Sequence, residues 1–171
     1  MRPGTKKCIL LLLAILLLCL LAWRLTPHTF EQMTASDINA ITSLAGAAAF
    51  LGVRDGSTYA ETYTLQSVLP EDTAFEGVLM LLNETRYRED FRNLLPWPLD
   101  AVSSDRYFDN RSVSLLLVWG PSADECCSLS LSGRQIVVGR PCHDGFLIYH
   151  PTNPKLLNWL STYIANNGEK G

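Results

Sequence analysis

Histidine occurs only three times in the 171 residues, at His28, His143 and His150, and no two of them stand four apart. That spacing excludes the helical HExxH pair that seats a catalytic zinc. Glycine occurs 11 times, but never as GxGxxG or GxxxxGK, so neither phosphate-cradling loop is present. GxSxG and SxxK are missing as well, which removes the usual serine nucleophiles. Basic residues are few and scattered: 14 Lys and Arg against 17 Asp and Glu leave a net charge of −3. A chain without a basic stripe has little with which to neutralise phosphates, so no nucleic-acid partner is expected. Repeats and low-complexity stretches are absent. No residue is assigned a catalytic, cofactor-binding or metal-binding role, and no cofactor is implied.

What is present is concentrated at the N-terminus. Arg2, Lys6 and Lys7 precede an unbroken apolar run from Cys8 to Trp23, and Arg24 closes it. About 16 apolar residues lie at the short limit for a spanning helix and just above a signal-peptide core. Positive charge is heavier before the run than after it, so a retained anchor would keep its N-terminus in the cytoplasm. A cleaved signal would use Ala22 at the cut, although Leu20 two residues earlier is large for that position. A lipoprotein would use Cys19. All three readings place the body outside the cytoplasm; a retained anchor makes the membrane a partner through residues 1–24, whereas a cleaved signal leaves the body secreted. A spacer is expected over 25–36, one domain over 37–166, and a tail over 167–171.

Within the domain, Thr34 with Asp37 resembles a capping box, and Ile38, Ile41 and Leu44 follow a helical period. Gly46 and Gly52 interrupt that period, Asp55-Gly56 is a hairpin signal, and TYAETYTL alternates as a strand does. Two strands meeting at Asp55-Gly56 are the favoured reading. After Pro70, Phe75, Val78, Leu79 and Leu82 mark one face of a helix. Pro96 and Pro98 fix an extended or looped path around Trp97. SVSLLLVWG and DGFLIYH read as strands, and Leu156, Leu157, Leu160 and Ile164 form the apolar face of a closing helix that ends at Asn166-Asn167-Gly168. The order predicts an α+β fold: an antiparallel sheet with a C-terminal meander, helices packed on one face, and the N-terminal anchor or signal helix in front.

The segments DINAIT and TYTLQSVLPEDTAFEGVLMLL, with the strand-rich C-terminal half and its closing helix, resemble small extracytoplasmic domains of bacterial membrane-anchored proteins and lipoproteins. The resemblance implies this fold and location. It implies no particular activity and carries over no functional residue.

The remaining signal is ECCSLSLSGRQIVVGRPCHDG, residues 125–145, with three of the five cysteines. Gly133-Arg134 suits a two-residue turn, which sets Leu131 opposite Ile136, Leu129 opposite Val138 and Cys127 opposite Arg140. Slipping the register by one residue would turn Gln135 to the core. Cys127 and Cys142 then share a side and are the expected disulfide, worth about 3 kcal/mol for so short a loop. Cys126 points the other way. Alternatives are a vicinal Cys126–Cys127 bridge, reduced thiols, or zinc held by Cys126, Cys127, Cys142 and His143. Adjacent strand residues diverge and no CxxC is present, so the metal reading is disfavoured.

Asn83-Glu84-Thr85 and Asn110-Arg111-Ser112 match the glycosylation triplet. Trp97 between two prolines suits either recognition or packing over a sheet edge. The functional expectation is a membrane-tethered extracytoplasmic module that binds a protein of the cell envelope and is not an enzyme. The alternative is an enzyme or small-ligand binder whose residues converge only in three dimensions.

Overall fold

The computed structural model describes residues 3–94, 110–120, 125–140 and 145–171. The first element, α1 (Pro3–Leu25), is a single helix, as its leucine-rich composition favours. Among the described residues no helix is long and apolar enough to cross a membrane, so the fold does not support the expected anchor. The physical reason is the shortness of the apolar part, about 16 residues against the roughly 20 that span a hydrocarbon core unaided.

Among the described residues, eight strands form one antiparallel sheet in the order β3-β7-β6-β5-β4-β1-β2-β8. They are β1 (Ser43–Arg54), β2 (Ser57–Val68), β3 (Tyr87–Glu89), β4 (Arg111–Val118), β5 (Cys126–Ser132), β6 (Gln135–Gly139), β7 (Phe146–Pro151) and β8 (Glu169–Lys170). Strands β4 to β7 are neighbours in sequence and in space, which is the expected meander. Asp55 and Gly56 both have positive φ, 53° and 77°, and so supply the mirror-image turn that suits the right-handed twist of the β1–β2 hairpin. Gly133, at φ 58°, opens the β5–β6 turn, and the pairings Leu129 with Val138 and Leu131 with Ile136 are those the turn chemistry predicts.

Alternation along each strand divides the sheet into two faces. Leu44 and Ala48, Val113, Leu115 and Leu117, Cys127, Leu129 and Leu131, and Ile136 and Val138 all point to one side and are buried. The helices α2 (Phe30–Thr34), α3 (Thr73–Asn83) and α4 (Leu156–Asn167) cover that side and share its core. Helix α4 presses Leu156, Leu160 and Ile164 onto the sheet, where it packs against β1, β2 and β4. Where α3 and α4 meet, Gly77 leaves room for the Tyr163 ring, whose hydroxyl donates to the Thr73 carbonyl at 3.0 Å.

Two segments at the ends of the domain differ from their expected roles. The stretch 25–36 contains α2, which sends Phe30 and Met33 into the core and is held to the sheet by Arg140. Arg140 Nε donates to the Met33 carbonyl at 2.7 Å, and its Nη2 donates to the Gln32 carbonyl at 3.1 Å. The tail 167–171 contains β8, paired with Tyr63 and Thr64 of β2. The capping box also lies elsewhere: Thr29 accepts from the Gln32 amide, and Gln32 accepts from the Thr29 amide. Thr34 instead donates to the Phe30 carbonyl, and Asp37 caps a 3₁₀ turn over Ile38–Ala40.

Candidate functional site

Among the described residues no helix covers the middle strands on the sheet's second face, and the composition of that face follows from the same alternation. One row runs across it from Thr64 through Ala47, Ser114 and Ser130 to Val137. The next row runs from Ala45 through Leu116 and Ser128 to Gly139 and Phe146. Alanine, serine and glycine keep the floor low, while Leu116 and Phe146 stand up from it, 42% and 58% exposed. A shallow trough of about 590 Å³ results, wide open to solvent. None of the described residues lining it is titratable. Apolar surface there favours contact with another apolar surface, and the serine hydroxyls supply hydrogen bonds but are paired with no base.

A polar cluster closes one corner of this face, where β3, β7 and β6 meet. Asp90, just after β3, is 6% exposed at its side chain. Arg92 donates to it from Nε at 2.9 Å, from Nη2 at 2.8 Å and from its own amide at 2.8 Å. His150 on β7 places Nε2 2.7 Å from the Asp90 carboxylate and Nδ1 3.0 Å from the Arg134 carbonyl. Both partners are acceptors, so the ring lies between two acceptor oxygens. Burial alone would raise the Asp90 carboxyl, but the donors from Arg92 and His150 outweigh it and hold the carboxyl well below the usual carboxylate range. Both ring nitrogens are thus engaged within the cluster. Its structural effect is clear, since it pins β3 to the meander. Asn93 adds to this by bonding both the amide and the carbonyl of Ile148.

The cysteine register is as expected. Cys127 is fully buried on the core side, and Cys126 lies on the opposite face beside Val118. Burial pushes the Cys127 thiol up to about 12, against a smaller opposing pull from Arg140, so as a thiol it is unreactive at neutral pH. No disulfide links two described cysteines, and Cys142 and His143 lie outside the described residues, as does Trp97. Among the described residues no three His, Cys, Asp or Glu gather as a metal site. Of the two glycosylation triplets, Asn110 is exposed, whereas Thr85 of the other is buried and donates to the Leu81 carbonyl.

Neither the open trough nor the Asp90 cluster was read from the sequence. The trough did leave a signal: Ala45, Ala47 and Ala49 alternate on β1, as Ser128, Ser130 and Ser132 do on β5. No family model, curated protein or solved structure matches the chain, so the reading of its site rests on its own residues.

Proposed function

We propose that the protein is a membrane-tethered domain of the cell envelope, with its body outside the cytoplasm, that works by binding another protein and not by catalysis. The observation that carries this is the open sheet face, a broad trough of small and apolar side chains with no titratable group among the described residues that line it. A small ligand would stay largely exposed there, whereas a protein surface or extended segment would cover both rows at once.

Although the apolar part of α1 is too short to span unaided, the character of its surface is what suggests the tether. From Ile9 to Leu21 its isoleucines and leucines are 40–67% exposed on every side, an apolar surface far larger than a water-facing helix tolerates. Lys7 and Arg24 flank the run, and snorkelling side chains extend the reach of a short apolar segment. With the basic N-terminus inside, an impermeant protease added to intact cells is expected to remove everything after about Arg24. Protection of the body would overturn this orientation.

The binding face is tested with a photoreactive residue in place of Ser114, which is exposed at the centre of the trough. Irradiation of intact cells is expected to give one dominant protein adduct, lost when Ala47→Arg fills the floor. Adducts as diverse as those from the same residue placed at Asn167, which is exposed at the end of α4, would defeat the proposal.

The Cys127–Cys142 bridge is proposed as a structural staple of the exported body, because the register puts Cys127 on the side expected for that pair. Non-reducing peptide mapping should join the peptides holding residues 127 and 142, and the link should survive Cys126→Ser. Loss of the link in that variant would assign the bridge to Cys126.

A further inference from the structure

Helix α1 does not leave the body at an arbitrary point. His28 and Tyr87 exchange backbone hydrogen bonds at 2.7 and 3.0 Å in an antiparallel bridge. The residues before His28 therefore run back along Arg88 and Glu89, and α1 packs against β3. The β3 edge is thus the part of the body nearest to where α1 would enter a bilayer. Two kinds of side chain collect there. Phe91, in the short turn after β3, is 71% exposed, more than any other phenylalanine among the described residues. Arg86 and Arg88 on the same side of β3, and Arg134 in the adjoining β5–β6 turn, are all exposed. None of the three forms an ion pair among the described residues. Arg88 lies opposite His150 in the β3–β7 ladder, and the Arg134 carbonyl touches the same ring, so the three cations crowd one corner. The described acids of that corner do not cancel them: Asp90 is already engaged by Arg92 and His150, and Glu89 points to the other side by alternation.

An exposed aromatic ring beside cations that have no ion pair among the described residues, in a chain whose net charge is −3, is complementary to an anionic lipid surface. The ring suits the headgroup boundary, and the guanidinium groups suit phosphate. We propose that the β3 edge, through Phe91, Arg86, Arg88 and Arg134, is a second membrane contact that seats the body on anionic headgroups. This rests on the tether reading above, since α1 is what brings the edge to the bilayer. Seating would hold the sheet at a set tilt, with the far β1–β2 turn, six strands away, roughly 30 Å from the contact.

The test uses the full chain reconstituted in two sets of vesicles. One is zwitterionic phosphatidylcholine alone, and the other replaces about a quarter of it with anionic phosphatidylglycerol. Each contains a trace of lipid bearing a photoreactive group near the headgroup, and adducts are mapped by mass spectrometry. In the anionic vesicles, the peptide spanning residues 86–92 is expected to be labelled at least several-fold more than the Asp55-Gly56 turn. That excess should fall in the neutral vesicles, at high salt, and in the triple variant Arg86→Gln, Arg88→Gln, Arg134→Gln. Labelling of α1 without any excess over residues 86–92 would overturn the proposal and leave the tether standing. An excess that is equal in both lipids and in the variant would overturn the assignment to anionic headgroups. No labelling of α1 would remove the tether, and this contact with it.

Discussion

Leu160→Ala is expected to lower the stability of the domain by about 2–5 kcal/mol, enough to unfold much of a small domain at physiological temperature. Leu160 has no exposed surface and sits at the middle of α4, which packs against three adjacent strands of the sheet, β4, β1 and β2. Removing its branched end takes apolar area out of contact and leaves a cavity between helix and sheet, which rigid secondary structure cannot collapse to fill. Trp159, next to it in sequence, is 41% exposed, and Trp159→Ala is expected to cost much less. Chemical denaturation of the two variants in the same detergent compares them directly. Equal losses would mean that α4 is peripheral and that the core lies elsewhere.

The second large effect concerns acid. Asp90→Asn keeps the shape of the side chain but removes the charge that Arg92 and His150 share, at an expected cost of about 1–3 kcal/mol at neutral pH. The sign of the pH dependence follows from the depressed carboxyl. A group whose folded pKa lies below its unfolded value contributes stability that is fully present above the unfolded value, near 4, and is lost as pH falls toward the folded one. The stability gap between the parent chain and Asp90→Asn is therefore expected to shrink as pH is lowered from about 5 to about 2. Because Asp90 joins β3 to β7, the loss should appear first as faster amide exchange in residues 87–94. A gap that stays constant with pH would falsify this account of the carboxylate.

The parts of the fold legible in the sequence are those where two local signals agree. In β5 and β6, the glycine of the turn and the apolar alternation both require Leu129 opposite Val138, and that is the observed pairing. In α4, the 3.6-residue period and the glycine stop agree likewise. Where a signal stood alone, it misled or stayed silent. Thr34-x-x-Asp37 matched a capping box in spacing, but a box needs a helix after it, and the real one, Thr29 with Gln32, opens a helix of only five residues. Five residues are too few to show a period, so α2 read as spacer although Phe30 and Met33 are core. Strands β3 and β8, three and two residues long, leave no alternation to read. They form because neighbouring edges offer unpaired backbone groups, which is a property of the assembled sheet. The Asp90 cluster was invisible for the same reason: its members come from the segment just after β3 and from β7, 60 residues on, and only the ladder brings them together.

The last strand has a practical consequence. Lys170 pairs opposite Tyr63, its ammonium meets Glu61 at 2.9 Å, and the Gly171 amide donates to the Thr62 carbonyl. Any polypeptide joined after Gly171 is thereby delivered in register along the outer edge of β2, toward the Asp55-Gly56 turn. A linker of alternating β-branched and apolar residues would extend β8 and zip onto that edge, burying strand surface from whatever else binds it. A linker of glycine, proline and like charges would leave it clear. The choice of C-terminal fusion is thus a choice about the length of the sheet.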